Sequence, residues 1–192
     1  MIGTLHQTLA MQTKLLSSLV VVAAAMLALS PVAAQDLRPA GYYVQGGGGE
    51  DRTYNATVGL TWPWVWRRDL MGIELGGLTE AYVSHWSALG PDGRRGFTQV
   101  GLVPMLRLRL DRGSPWFAEA GIGISAMDKR FVTSTKELST SLNFVDVIGV
   151  GRSFGTVRPQ ELGLRIQHAS NAGIRSPNPG HNFVMLRYSA SF

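Results

Sequence analysis

The sequence predicts an all-β protein, an eight-stranded antiparallel transmembrane β-barrel, and three observations support that prediction. Apolar and polar residues alternate with a period of two in segment after segment beyond residue 35, which is typical of strands with one apolar face. No window in that part of the chain holds the roughly 18 apolar residues of a membrane helix. The 192 residues include 23 glycines and only 16% charged residues, whereas soluble domains carry about 25%.

The first 34 residues differ from the rest and are predicted to be a cleaved signal peptide. Lys14 is their only charged residue, so residues 35–192 keep +4 of the formal net charge of +5. Residues 15–29 form an apolar run of the length of a signal-peptide core, which is short for a membrane span. Small residues at 32–34 suit a signal peptidase. The alternative, a membrane-anchoring helix, is disfavoured by the proline that follows the run.

Strand-sized segments follow one another along the mature chain. In one of them Tyr54, Ala56 and Val58 alternate with Asn55 and Thr57. Several segments are as long as the roughly 9–11 residues that cross a bilayer at a tilt. The eight segments lie near 39–47, 53–65, 70–86, 97–110, 115–126, 139–151, 159–171 and 182–192.

Two architectures carry such patterns, a soluble sandwich and a transmembrane barrel. The outer face of a sandwich is charged, whereas the polar face here is rich in Gly, Ser, Thr and Asn with occasional Arg and Glu, as a narrow lumen requires. Short connections near 65–70 and 111–114 alternate with longer polar ones at 86–97, 127–138 and 172–181. Short periplasmic turns and long external loops are typical of outer-membrane barrels, so we expect the protein in the bacterial outer membrane.

Tryptophans and prolines add detail to the barrel. Four tryptophans share the lipid-facing parity beside short turns, namely Trp62, Trp64, Trp66 and Trp116. They predict an interfacial aromatic girdle at that end. Pro63 and Pro104 each lack a backbone donor, so we expect a β-bulge at both positions.

One segment breaks the alternation in a way that suggests chemistry. Leu164 and Ile166 place its apolar side toward lipid, and the same parity puts His168 and Ser170 on that side. Polar side chains facing lipid cost desolvation, and an imidazole beside a hydroxyl is the minimum arrangement for an activated nucleophile. The alternative is a pair of interfacial residues hydrogen-bonded near headgroups. We favour chemistry, because this strand runs outward and its end meets lipid where acyl chains join headgroups.

Composition and spacing exclude several other classes of function. The absence of cysteine excludes disulfides and thiol chemistry. The four histidines lack metal-ligand spacing, so neither a metal nor another cofactor is predicted. Export disfavours nucleic acid as a partner in spite of the positive net charge, and eight strands leave too little interior for a pore.

Residues 168–180, with the sequence HASNAGIRSPNPG, resemble the C-terminal motif of the PagL lipid A 3-O-deacylases. The resemblance extends more loosely over the whole mature chain, including residues 119–123 and the final strand. It implies an eight-stranded outer-membrane esterase that removes the 3-linked hydroxyacyl chain from lipid A without a cofactor. Lipid A, or lipopolysaccharide of the outer leaflet, is then the expected partner, and a homodimer is left open.

The resemblance implies a role for each residue of the motif. Ser170 is the nucleophile and His168 is the general base. Asn171, Gly173 and Asn178 are the candidates for stabilising the tetrahedral oxyanion, through backbone or side-chain donors.

One position departs from the family pattern. The third catalytic residue of the family is a glutamate, which falls at position 182, where this chain has Asn182. Its amide oxygen can accept a hydrogen bond from His168, but it cannot stabilise the imidazolium by charge. Glu80 and Asp146 are candidate substitutes for the missing acid. Arg175, which follows the motif's serine, is a candidate for contact with a lipid A phosphate, since a guanidinium fork suits phosphate. The alternative, which the sequence favours for any single loop arginine, is an ordinary solvated charge.

The sequence therefore predicts an outer-membrane serine esterase that hydrolyses the 3-O-linked hydroxyacyl chain of lipid A. The alternative is a non-catalytic outer-membrane barrel, of the adhesion or envelope-structural type, that carries a degenerate esterase site. Asn182 is the residue that favours the alternative.

Overall fold

The computed structural model describes residues 37–111, 113–156 and 159–192. The predicted signal peptide and its cleavage site lie outside these residues. Within them, no helix has the length and apolar character to cross a membrane. The elements in chain order are β1 (Gly41–Gly49), the 3-10 turn η1 (Glu50–Arg52), β2 (Tyr54–Pro63), β3 (Arg68–Leu70), β4 (Ile73–Gly90), β5 (Gly93–Arg109), β6 (Trp116–Met127), β7 (Leu142–Phe154), β8 (Gln160–Ser170) and β9 (His181–Ser191).

All of these strands except β3 close into an eight-stranded barrel. Neighbouring strands pair antiparallel around the whole sheet, and the pairing of β2 with β4 joins its two ends. β3 adds a three-residue hairpin at the edge of β4. Closure satisfies backbone groups without leaving an exposed edge, which a lipid environment demands. The predicted architecture is confirmed.

Two connections differ from the prediction. β4 and β5 continue to a tight turn at residues 91–92, so the predicted loop at 86–97 is a β-hairpin. Gly93 closes this turn with a φ of +117°, which other residues rarely adopt. The polar residues of the segment suggested a loop, but strand pairing is made by the backbone and continues irrespective of polarity. The predicted turn at 65–70 contains β3.

The β-bulges expected at the two prolines are not present in the described strands. The pairing of β5 with β4 and with β6 keeps one register on both sides of Pro104. Pro63 is the last residue of β2. These prolines leave a ladder bond unmade without displacing the register, so the expectation was wrong.

The two faces of the barrel wall have opposite character. The outer face exposes apolar side chains, among them Val58, Val100, Ile124, Ile148, Leu164 and Leu186, as a barrel in lipid requires. The lumen holds a set of paired charges that we call the lumen charge cluster. Its members are Glu80, Arg107, Glu119, Glu161, Arg165 and Arg187.

One end of the barrel, here called the upper end, carries η1 and the connections 91–92, 128–141 and 171–180. The connection 128–141 is tied to η1, because Asp51 accepts hydrogen bonds from the hydroxyls of Thr133 and Thr135. It also contributes to an apolar core at this end, formed by Trp86, Ala88, Phe97, Met127, Phe131, Leu138, Ala169, Phe183 and Met185. These contacts fix the turn and the connection beside the end of β8.

Candidate active site

β8 carries the predicted histidine and serine at its upper end, on the outer face. Leu164 and Ile166 are exposed on that face, and His168 and Ser170 follow on it, each half-buried. Arg165, one residue out of phase, is buried in the lumen. The structure therefore brings the predicted pair together on one face, two residues apart, as the parity of the strand requires.

His168 lies between polar residues of two neighbouring strands. In the strand register, His168 is opposite Asn182 on β9 and opposite Asp146 on β7. His168 Nδ1 and Asn182 Oδ1 are 2.8 Å apart. Among the described residues, His168 and Ser170 form no hydrogen bond with each other, and Ser170 Oγ lies 3.5 Å from the backbone N of Ala172, which donates to it.

Gly180 lies directly against the imidazole of His168. A methyl group added at position 180 would lie 2.4 Å from Cε1 and 3.0 Å from Nε2 of the ring. The φ of Gly180 is +68°, which also favours glycine. The sequence motif contains Gly180, but its contact with His168 is visible only in the structure.

Glu50 reaches this group of residues from η1. Its Oε1 accepts a hydrogen bond of 3.2 Å from Asn182 Nδ2, and its Oε2 forms an ion pair with Lys136 Nζ. Lys136 Nζ also lies 3.5 Å from the carbonyl oxygen of Gly180. The hydrogen bond from Lys136, more than any other interaction, holds the pKa of Glu50 below its usual range, so the carboxylate is ionised at neutral pH.

Five polar residues that are neighbours in space at this end of the barrel are called the rim chain. It consists of Ser170, His168, Asn182, Glu50 and Lys136. Sequence reasoning missed Glu50 and Lys136, because Glu50 is 132 positions away from Asn182. The signal that points to Glu50 is barrel closure, which makes β1 and β9 neighbours.

The two carboxylates considered as substitutes for the missing acid lie in different places. Glu80 faces the lumen, where Arg165 and Arg187 bind it at 2.8 and 2.9 Å. That is the opposite face of the wall from His168, so Glu80 is excluded as its partner. Asp146 lies beside His168 on the outer face, but within the described residues its side chain makes no hydrogen bond.

The motif loop between β8 and β9 is held by Asn171, which is buried. Its Nδ2 donates to Ser139 Oγ at 3.0 Å and to the carbonyl oxygen of Arg175 at 2.8 Å. Its Oδ1 accepts from the backbone N of Gly173 at 3.0 Å. Its own backbone N donates to Asn178 Oδ1 at 3.0 Å. The backbone donors of Asn171 and Gly173 are thus engaged inside the loop.

Comparison with known proteins places the chain in a family. Residues 52–191 match the family model of lipid A 3-O-deacylase (PagL). The lipid A deacylase PagL of Bordetella bronchiseptica is 31% identical over 144 residues, which cover 74% of this chain and 78% of that protein. The lipid A deacylase PagL of Pseudomonas aeruginosa is 35% identical over 135 residues, which cover 68% of this chain and 74% of that protein.

The fold agrees with the same family. A crystal structure of the outer membrane enzyme PagL superposes with a TM-score of 0.71 at 29% identity, covering 80% of this chain and 100% of that chain. Sequence and structure lead to one conclusion: this chain belongs to the PagL family of lipid A 3-O-deacylases, and it is an outer-membrane β-barrel.

Proposed function

We propose that the protein hydrolyses the ester of the 3-O-linked hydroxyacyl chain of lipid A in the outer leaflet of the outer membrane. The observation that carries the proposal is the pair of His168 and Ser170, half-buried on the lipid-facing side of β8, with His168 hydrogen-bonded to Asn182. The relatives named lipid A deacylases support the choice of substrate.

The upper end is taken as the external end. Outer-membrane barrels carry short periplasmic turns and longer external connections. The connections 128–141 and 171–180 at the upper end are longer than those at 110–115 and 155–159 at the other end. The pair on β8 then lies at the depth where the acyl esters of the outer leaflet meet their sugars.

The reaction follows from the chemistry of a serine beside a histidine. Ser170 Oγ attacks the ester carbonyl carbon while His168 Nε2 removes its proton. The bond from that carbon to the sugar oxygen then breaks, and the imidazolium returns the proton to the departing oxygen. Water attacks the acyl-enzyme and gives a proton to His168, which passes it to the released serine oxygen. The products are a free hydroxy fatty acid and a sugar with a free 3-hydroxyl.

The oxyanion of the tetrahedral intermediate requires donors near Ser170. The backbone N of Ala172, 3.5 Å from Ser170 Oγ, supports a role as one donor. The side-chain amide of Asn178 is proposed as a second donor. Its Oδ1 accepts a hydrogen bond from the backbone N of Asn171, while no partner among the described residues accepts from its Nδ2. Asn171 and Gly173 contribute by fixing the loop, because their backbone donors are already engaged.

Two other features of the protein suit parts of the lipid substrate, an acyl chain and a phosphate. An apolar groove of about 640 Å³ lies on the outer face, and Gly46, Ala56, Val58 and Leu186 are among the residues that line it. This groove suits an acyl chain. Arg175 is exposed in the motif loop and suits a lipid A phosphate.

Mass spectrometry of lipid A from cells that express the protein tests the function. We expect the wild type to remove one hydroxyacyl chain and Ser170→Ala to leave it in place. Ser141→Ala, a serine replacement at the same end of the barrel, is the matched control and retains activity. Unchanged lipid A with folded wild-type protein, or full activity in Ser170→Ala, would reject the proposal.

A non-catalytic barrel is the second candidate, because Asn182 stands where the family has a glutamate. If the rest of the site is intact, Asn182→Glu raises ester hydrolysis or leaves it high. A wild type and an Asn182→Glu variant that both fold and both leave lipid A unchanged would favour the non-catalytic barrel.

A further inference from the structure

We propose that Glu50 is a positioning residue of this site, which orients Asn182 and through it sets the proton of His168. The inference rests on the proposed esterase function. Glu50 lies before residues 52–191, the part of the chain that matches the family model, so the match assigns it no role.

The direction of the hydrogen bonds fixes the orientation of the Asn182 amide. An ionised carboxylate only accepts, so Glu50 Oε1 requires the NH₂ side of the Asn182 amide, at 3.2 Å. The amide oxygen is then turned toward His168 Nδ1, at 2.8 Å. An amide oxygen also only accepts, so Nδ1 must carry the ring proton. Nε2 is left as the free base that the reaction of Ser170 requires.

Without Glu50, the Asn182 amide loses the hydrogen bond that fixes this orientation. A flipped Asn182 would offer its NH₂ group to His168 Nδ1 and stabilise the other tautomer, with the proton on Nε2. A histidine in that state cannot accept the proton of Ser170. A glutamate at position 182 would not have this ambiguity, because both of its oxygens accept. The replacement of glutamate by asparagine therefore creates the need for a second group that fixes the amide.

The Glu50 carboxylate is itself held in place by neighbouring residues. Lys136 forms an ion pair with Oε2 and leaves Oε1 directed at Asn182. The same ammonium lies near the carbonyl oxygen of Gly180, whose Cα abuts the His168 ring. The neighbouring residue Asp51 anchors η1 to the connection 128–141. The carboxylate is thus built into the upper end and is not a free surface charge.

The charge of Glu50 makes a smaller contribution than its hydrogen bond. The imidazolium formed during the reaction is stabilised by nearby negative charge, and the attraction falls with distance. Asn182 lies between Glu50 and His168, and Lys136 offsets part of the charge of Glu50. The main effect of Glu50 is therefore to orient the Asn182 amide. The other titratable groups around this set are Asp146, opposite His168 on β7, and His181, whose Nδ1 lies 3.9 Å from Glu50 Oε2.

Hydrolysis of purified lipid A by the full mature protein in detergent tests the inference. We expect Glu50→Ala to lower kcat by about tenfold to a hundredfold, the range typical of residues that orient a functional histidine. We expect Glu50→Gln to lower it less, since a neutral amide still accepts but no longer enforces one orientation. Glu137→Gln, which removes an exposed carboxylate paired with Arg130 at the same end, is the matched control and leaves the rate unchanged.

The decisive arm repeats Glu50→Ala in the Asn182→Glu background. A carboxylate at position 182 accepts from His168 without help, so the loss caused by Glu50→Ala shrinks to less than about twofold there.

Two outcomes overturn the role of Glu50 alone, given hydrolysis that depends on Ser170. One is a wild-type rate in Glu50→Ala. The other is an equal loss in both backgrounds, which is what a merely structural role predicts. Absence of Ser170-dependent hydrolysis from the folded wild type and from Asn182→Glu overturns the proposed function, and the role of Glu50 with it.

Discussion

The lumen charge cluster and the rim chain both contain an ion-paired glutamate, but the two pairs lie in different surroundings. In the lumen, Arg165 and Glu80 expose 1% and 3% of their side chains and are joined by two hydrogen bonds of 2.8 Å. In the rim chain, Lys136 and Glu50 expose 24% and 42%. Each lumen carboxylate is bound by two or more arginines, whereas the rim chain passes through one amide to a histidine beside a serine hydroxyl.

The comparison shows how burial decides what a polar group does. A buried charge that loses its partner is costly because water cannot replace it, so the lumen cluster ties the wall of the barrel together. A partly exposed pair contributes little to stability, because water and ions screen it. The rim chain can therefore be altered without unfolding the barrel. We expect substitutions in the lumen to change stability and substitutions at the rim to change rate.

The largest effect on stability is expected from Arg165→Met. The replacement leaves Glu80 and Glu119 with fewer partners in a closed lumen, so the free energy of unfolding falls by about 3–5 kcal/mol. Urea unfolding in lipid vesicles, followed by tryptophan fluorescence, measures the loss. Arg130→Met removes an exposed pair with Glu137 and is the control, with a change of about 0–1 kcal/mol. Equal losses in the two variants would contradict the comparison.

The largest effect at the rim, apart from removal of the nucleophile, is expected from Gly180→Ala. The added methyl group would lie 2.4 Å from Cε1 of His168, so the ring must move. Displacement of a catalytic group by about 1 Å costs about a hundredfold in rate, and we expect a loss of kcat of that size. The free energy of unfolding in urea should fall by only about 1–2 kcal/mol, the cost of the left-handed backbone conformation for alanine.

Gly72→Ala is the control for the backbone term of this prediction. Gly72 has a φ of +88°, close to the +68° of Gly180, and an added methyl group there meets nothing within 4 Å. It carries a similar conformational cost at the opposite end of the barrel. If Gly72→Ala and Gly180→Ala lowered kcat equally, the contact with His168 would not explain the loss.

The sequence contained much of the fold because strand periodicity is local. The alternation through Leu164 and Ile166 placed His168 and Ser170 on the outer face, and the structure has them there. Contacts between segments that are distant in sequence could not be predicted in this way. Glu50 meets Asn182 only because the sheet closes, and periodicity does not state which side chain of a turn reaches across.

The substitute acid shows the same limit. Glu80 was a reasonable candidate by charge alone, yet its parity on β4 turns it into the lumen toward Arg165 and Arg187. Asp146 is on the neighbouring strand β7, and the register of β7 with β8 brings it opposite His168. Strand register is a property of the whole sheet, so single segments do not reveal it.

A smaller effect is expected from filling the groove on the outer face. Ala56 lines this groove, and Ala56→Trp would occupy space that we assign to an acyl chain. We expect kcat/KM for long-chain lipid to fall by roughly tenfold, with little change for a water-soluble short-chain ester. Ile124→Trp, on the exposed outer face of β6, is the matched control and affects neither substrate. Equal loss with both substrates would mean that the groove does not hold the chain.

The smallest effect concerns the tether between η1 and the connection 128–141, and it depends on pH. Hydrogen bonds from Thr135 above all, and from Thr133, lower the pKa of Asp51 from its usual 3.8. A carboxylate whose pKa is lower in the folded state stabilises that state above its unfolded pKa, and the contribution is lost as the pH falls through the folded value. The tether should therefore hold at neutral pH and loosen only in acid below about pH 3.8.

Limited proteolysis measures this tether directly. At neutral pH, trypsin should cleave the connection 128–141 of Asp51→Asn about fivefold faster than that of the wild type, the size expected for an exposed charge-assisted hydrogen bond. In the wild type, pepsin cleavage of the same connection should accelerate as the pH falls below about 3.8, and in Asp51→Asn it should be fast throughout. Asp92→Asn, at the tip of the β4–β5 hairpin, removes an exposed acid at the same end and should resemble the wild type. If Asp92→Asn were cleaved as fast as Asp51→Asn, the loss of any negative charge at this end, and not the loss of the tether, would explain the faster cleavage. Asp51 would then not anchor η1, the turn that carries Glu50.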